Sequence, residues 1–121
     1  MATTKAVTAI WSGTTLTAGA GDTTATAVTL DDGYGAALHV KLTNGATGPT
    51  VAAQVQIQVS ADNTEWFNFG GALVGSTTNS AVSQWGGIDI PIGVEYLRLV
   101  AGSNTGQNVT VDADISEVTA V

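Results

Sequence analysis

The sequence predicts an all-β domain: an antiparallel β-sandwich, jelly-roll-like, of about eight strands with little or no helix. Three observations carry that prediction. Apolar and polar residues alternate with a period of two, which places each set on one face of an extended strand. In QVQIQVS, Val55, Ile57 and Val59 share one parity, and Gln54, Gln56 and Gln58 the other. Gly, Asn, Asp and Ser cluster between such segments, where a turn needs their backbone freedom or their short hydrogen-bonding side chains. Finally, no stretch keeps a 3.6-residue apolar period over three turns. Short strands joined by turns bury their apolar faces against one another as a sandwich or barrel.

Taken in order, residues 1–5 carry no pattern and are expected to form an extended N-terminal arm, with residues 6–121 as a single β-sandwich domain. Residues 6–11 (AVTAIW) form a first strand with Val7, Ala9 and Trp11 on one face; Ser12-Gly13 breaks it, and residues 14–17 are a short continuation. A glycine-rich turn follows at residues 18–22. Residues 23–30 (TTATAVTL) make the next strand, with Thr24, Thr26, Val28 and Leu30 on one face. Threonine is favoured there because its branched Cβ suits a pleated surface. After a turn at residues 31–35, residues 36–43 point Leu38, Val40 and Leu42 inward and His39 and Lys41 outward.

Asn44-Gly45 is a hairpin signal, with a loop running on to Pro49. Residues 51–71 form the hairpin on which the others pack. It has a polar turn at Ser60-Ala61-Asp62-Asn63-Thr64 and a return strand through Trp66, Phe67 and Phe69. Residues 70–79, small and polar, are expected to be a long mobile loop. Strands follow at residues 81–85 and 88–92, where Pro91 favours an edge. In residues 96–101, Leu97 and Leu99 oppose Tyr96, Arg98 and Val100. After a turn at residues 102–108, residues 109–118 close the chain. Val109, Val111, Ala113 and Ile115 point inward there, and Thr110, Asp112, Asp114 and Ser116 outward.

Composition narrows the function. At 121 residues the chain is one domain, large enough for a core without staples. It has no cysteine for disulfides or thiolate metal sites. Lys5, Lys41 and Arg98 are the only Lys and Arg residues, and the formal net charge is −7. Nucleic-acid binding needs clustered cations to release counterions, and anionic membranes need a basic face, so neither is an expected partner. No apolar run approaches the ~18 residues of a membrane span, and the start lacks the basic-then-apolar pattern of a secretory signal, so a soluble, unexported chain is expected.

Chemistry is sparse. Nucleophilic catalysis needs a base, and the only histidine is His39, which as an outward strand residue needs no special role. Calcium could use Asp31 with Asp32, or Asp62 with Asn63 and Glu65, yet neither set follows an EF-hand loop and both are ordinary turn residues. Asp112 and Asp114 share a strand face about 7 Å apart, but exposed strand carboxylates rarely have the raised pKa of a glycosidase pair. No catalytic residue, cofactor or metal is therefore expected. Trp11, Trp66 and Trp85, with Tyr34 and Tyr96, are able to stack on sugar rings or seat a partner, although large aromatics more often fill a small core. Trp85, before Gly86-Gly87 in loop-like sequence, is the aromatic most expected at an interface.

The run VQIQVSADNTEWFNFGG, followed by IPIGVEYLRLVAGSNTGQNVTVDADI, resembles small β-sandwich structural proteins of tailed bacteriophages. The likeness is carried by Ser60, Asp62, Trp66, Tyr96, Arg98 and the turn from Asn104 to Gly106, over roughly the C-terminal two-thirds of the chain. It is most like the capsid decoration (cement) proteins. That resemblance implies a non-enzymatic virion structural protein, made in the host cytoplasm without a signal peptide, that binds and stabilises the assembled shell. It implies a trimer whose partner is the major capsid protein or another virion protein, at the capsid surface. On this reading the contacts would come from the arm and first strand (Thr3, Thr4, Lys5, Val7), the loop at residues 70–79 (Ser76, Thr77, Asn79) and Trp11, Trp66 and Trp85. The alternative is a carbohydrate-binding or tail/fibre β-sandwich module with Trp66 or Trp85 as a glycan platform.

Overall fold

A computed structural model describes residues 4–30 and 34–120. They form ten strands and no helix: β1 (Thr4–Leu16), β2 (Thr23–Thr24), β3 (Val28–Thr29), β4 (Ala36–Asn44), β5 (Gln54–Ser60), β6 (Phe67–Asn68), β7 (Leu73–Val74), β8 (Val82–Ile90), β9 (Tyr96–Gly102) and β10 (Val109–Ala120). Two antiparallel sheets face each other. The first has the order β1-β10-β4-β8; in the second, β9 pairs with β2, β3 and β5, and β5 also pairs with β6 and β7. The pairing is nested: β1 with β10, β2 and β3 with β9, β4 with β8, β5 with β6 and β7. That nesting is what a jelly-roll-like sandwich requires.

The core lies where the period-two rule puts it. Leu38, Leu42, Val55, Leu97, Leu99, Val111 and Ile115 are sealed between the sheets. Each contributes about 1.5–3 kcal/mol by leaving water. The outward residues of the same strands stay hydrated, so one rule fixes both surfaces.

Several local expectations are corrected. β1 begins at Thr4, so Thr4 and Lys5 are not an arm; they pair with Ala120 and Val118. Met1, Ala2 and Thr3 lie outside the described residues, as do Asp31, Asp32 and Gly33 of the expected turn. β1 also runs straight through Ser12-Gly13, because the break is absorbed by two register shifts against β10, at Ala9/Trp11 and Trp11/Thr14. Each extra residue moves the following side chains to the opposite face. Ala9 therefore lies opposite Asp114 on the outer face, whereas Trp11 lies opposite Ala113 and is buried at 8% exposure. Residues 23–30 kink for the same reason. Thr24 pairs with Val100 but Val28 pairs with Leu97, four steps against three, so Ala25 and Leu30 are buried and Thr24 and Thr26 exposed.

Asn44-Gly45 opens no hairpin: β4 and β5 belong to different sheets. The two strands expected at residues 81–85 and 88–92 are one, β8, bulged at Gly86-Gly87 with Gly87 at φ 65°, and Pro91 stands just past its end. Residues 70–79 are tied down at three points. Leu73–Val74 is a strand, the Gly75 N–H donates to the Ala53 carbonyl at 2.9 Å, and Asn44 Nδ2 donates to the Ser76 and Thr78 carbonyls at 2.8 Å each. Gly48 seats against Thr77, so closely that an added Cβ would overlap the Thr77 carbonyl.

Candidate interaction surfaces

The outer face of the second sheet is assembled by parity and register. Period two sends Gln56 and Gln58 of β5 outward, and Arg98 of β9 likewise; the pairing sets Gln58 opposite Arg98. Arg98 Nε donates to Gln58 Oε1 at 2.8 Å, and its guanidinium carbon stands 4.3 Å from the Trp66 ring centroid. Cation–π contacts of this kind contribute about 0.5–1 kcal/mol near solvent.

Trp66 reaches that position because the preceding turn is locked. Asp62 Oδ1 accepts the N–H groups of Thr64 and Glu65 at 2.9 Å each, and Ser60 Oγ accepts those of Asp62 and Asn63. Asn63 takes φ 60°, a left-handed conformation that Asn tolerates. The backbone N–H groups of Glu65 and Thr64, then the Ser60 hydroxyl, hold the Asp62 carboxyl below the usual carboxylate range. Three donors of the turn, the Ser60 hydroxyl and the N–H groups of Thr64 and Glu65, converge on Asp62 Oδ1. Among the described residues no carboxylate pairs with Arg98. Tyr96, half-buried, shares the Arg98 face two residues back along β9, whereas Phe67, 60% exposed, pairs with Val59 and so belongs to the opposite face of the sheet. Trp, Tyr and Arg are the residue types that anchor protein interfaces, and here two of them are fixed by each other.

The outer face of the first sheet carries charges in cross-strand pairs. His39 lies opposite Asp114, and Lys41 opposite Asp112 and Gln84. His39 Nδ1 is 3.2 Å from Asp114 Oδ1, with both side chains about half exposed (48% and 49%). Asp112 Oδ1 accepts the Gly13 N–H at 2.7 Å, which secures the second irregularity of β1. These groups border an open hollow of about 500 Å³ together with Ser12 and Gln84. The fold thus gathers His39 and two carboxylates that the sequence leaves separate. Asp114 is the side-chain partner of His39, Lys41 faces Asp112 in the register, and no hydroxyl bonds the imidazole among the described residues.

The remaining sequence-nominated residues divide clearly. Trp11 is in the core. Trp85 stands in β8 opposite the inward Val40 and packs half-buried against the core, so its sequence context was strand and not loop. Ser76 and Asn79 are engaged within the chain, the first through its carbonyl and the second by accepting the Gly48 N–H at 2.8 Å; Thr77 is exposed beside them. Thr4, Lys5 and Val7 are exposed along β1, and Thr3 lies outside the described residues. Of the tryptophans, Trp66 sits at the surface cluster with Arg98 and Gln58. Arg98 was legible only as an outward strand residue; its partners needed the register. Among the described residues no helix is long and apolar enough to cross a membrane.

No family model matches the chain, and no curated protein does. Solved structures do. The chain is similar to the SPBc2 prophage-derived protein YomS, at 16% identity and a TM-score of 0.57, with 96% of each chain covered. It is also similar to the VP2 subviral particle of infectious bursal disease virus, at 10% identity and a TM-score of 0.61. That match covers 98% of this chain but 33% of that one. A structure of the Gt strain of infectious bursal disease virus gives the same picture, at 8% identity and a TM-score of 0.59, with 98% of this chain and 32% of that one covered. At these identities the likeness concerns the fold: two facing antiparallel sheets along the whole of this chain.

Proposed function

We propose that this protein is a non-enzymatic structural component of a virion, specifically a capsid decoration protein that binds the assembled shell and stabilises it. The observation that carries the reading is the end-to-end fold likeness to a prophage-derived protein, backed by a likeness to part of a viral capsid protein. The Trp66–Arg98 corner supplies the contact. It is a cation held against one aromatic ring on a sandwich face, with Arg98 lacking a carboxylate partner among the described residues in a chain of net charge −7. A carboxylate on the major capsid protein, or on another virion protein, would complete it. Binding assembled shell but not free subunits stabilises the shell by mass action, about 2.7 kcal/mol at a ligand concentration 100 times Kd. The protein then resides at the capsid surface and works as a homo-oligomer.

The test is cryo-EM of purified particles incubated with the protein, together with shell melting in its presence and absence. Density on the shell, and a melt raised by wild type but not by Trp66→Ala or Arg98→Ala, is the expected result. Density confined to tail or fibre, or glycan-array binding that depends on Trp66, would replace the decoration reading with the fibre or carbohydrate-binding one.

A further inference from the structure

β1 ends the first sheet, and its residues 4–9 are exposed throughout, Val7 at 70%. Alternate N–H and C=O groups of such a strand point away from its one partner, a template for another strand. Natural edges are blunted by proline, by several charges or by bulges. Here Lys5 to Ala9 hold an unbroken register against Val118 to Asp114, with the irregularities falling just outside that run at both ends. The inner side of the same segment is open too: Thr8 and Ile10 of β1 and Thr26 and Val28 of the second sheet border a groove of about 370 Å³.

We propose that two copies of this chain join through this edge, β1 against β1 antiparallel, about a two-fold axis at Val7. The axis follows from the residues. Cross-strand neighbours share a face, so a two-fold axis perpendicular to the sheet must pass through a residue and not between residues. Val7 is the midpoint of the five-residue unbroken run, so centring there uses all of it: Val7 meets Val7, Ala6 meets Thr8, and Lys5 meets Ala9. Charge selects the same register. Ala9 is followed across the sheet by Asp114 and then His39. Lys5 of one copy therefore lies two strand spacings, about 10 Å between Cα atoms, from Asp114 of the second copy. The intervening alanine is short enough for the lysine stem to lean over it. Symmetry repeats the pair. An axis at Ala6 would instead put Lys5 opposite Val7 and, beyond it, Ser116, with no charge to meet. The joined sheet has eight strands and covers the most exposed valine of the edge. This self-association does not depend on the virion reading, and it is a two-fold contact where the resemblance implied three-fold packing.

The chain has no cysteine, so Val7→Cys places a single thiol at the axis. Paired strands set facing Cα atoms about 4.5–5.5 Å apart, within disulfide range. Mild oxidation should link Val7→Cys chains into a disulfide dimer, while Thr24→Cys on exposed β2 stays unlinked. Sedimentation and native mass spectrometry of wild type should show twice the 12.1 kDa chain mass. Val7→Asp should return it to one chain with an unchanged far-UV spectrum. Lys5→Glu and Asp114→Lys should each weaken the dimer roughly 2- to 30-fold, since each opposes both symmetry-related pairs, and the double variant should recover it. A single-chain mass at millimolar concentration, a mass of three chains, or a dimer in which Val7→Cys does not cross-link would overturn the proposal.

Discussion

Asn44→Ala should loosen the segment that the sequence suggests is free. Asn44, 6% exposed at the end of β4, donates both hydrogens of Nδ2, one to Ser76 and one to Thr78. Alanine removes two net hydrogen bonds of about 1 kcal/mol each and leaves two partly buried carbonyls short of a donor. The expected cost is about 2–3 kcal/mol. With an unfolding entropy near 2.1 cal/mol/K per residue, 121 residues convert each kcal/mol into roughly 4 °C, so Tm should fall by about 8–12 °C. Urea unfolding followed by tryptophan fluorescence gives the free energy. Amide exchange reports the location: Gly75 and Ser80, whose N–H groups bond Ala53 and Gly45, should exchange faster, and Leu99 should change only with global stability. A Tm loss under 2 °C, or unaltered exchange at Gly75 and Ser80, would mean that strand β7 and the Gly48 contact hold the segment without this side chain.

Three further outcomes are expected. Gly48→Ala should cost about 1–3 kcal/mol or more, because its Cβ meets the Thr77 backbone and not a side chain that can turn aside; denaturant midpoints measure this. Asp62→Asn should lower thermal stability at pH 7, and the difference from wild type should shrink as acid protonates the Asp62 carboxyl. The folded-state pKa is depressed below the ordinary aspartate value, so the stabilisation is complete above that ordinary value and is lost as pH falls through the folded pKa. Arg98→Ala should cost the fold about 2–4 kcal/mol, from one charged hydrogen bond and one cation–π contact, and on the proposed decoration role should also lower shell affinity at least tenfold. Circular-dichroism melts and pelleting with particles separate the two effects.

The residues that were legible are those where one face is wholly buried and nothing interrupts the register. In β4, β5, β9 and β10, alternation named the inward residues correctly, since a one-residue slip would have put Leu38 or Val111 into water. Trp11 and Thr24 were misplaced because alternation assumes an even count on both strands, and β1 and the β2–β3 segment each carry extra residues opposite their partners. Asn44-Gly45 misled for a different reason: turn chemistry reports a change of direction, not which sheet the chain enters next. The same blindness to partners hid the surface clusters. Outward parity identified Gln58, Arg98, His39 and Asp114 individually, but only register joins Gln58 to Arg98, or His39 to Asp114 across 75 residues of chain.

The place of β10 has a consequence for how the molecule comes to exist. It lies between β1 and β4, so β1 has no place in the first sheet until β10 has been synthesised, whereas β4 can already pair with β8. Gly13 finds Asp112 across a separation of 99 residues, an entropic closure of roughly 4 kcal/mol that no early contact on that side offsets. In a nascent chain the first strand therefore stays unpaired until nearly all of the domain has been made. Pairings between such distant segments form slowly, and the waiting strand offers an open template for aggregation in the meantime.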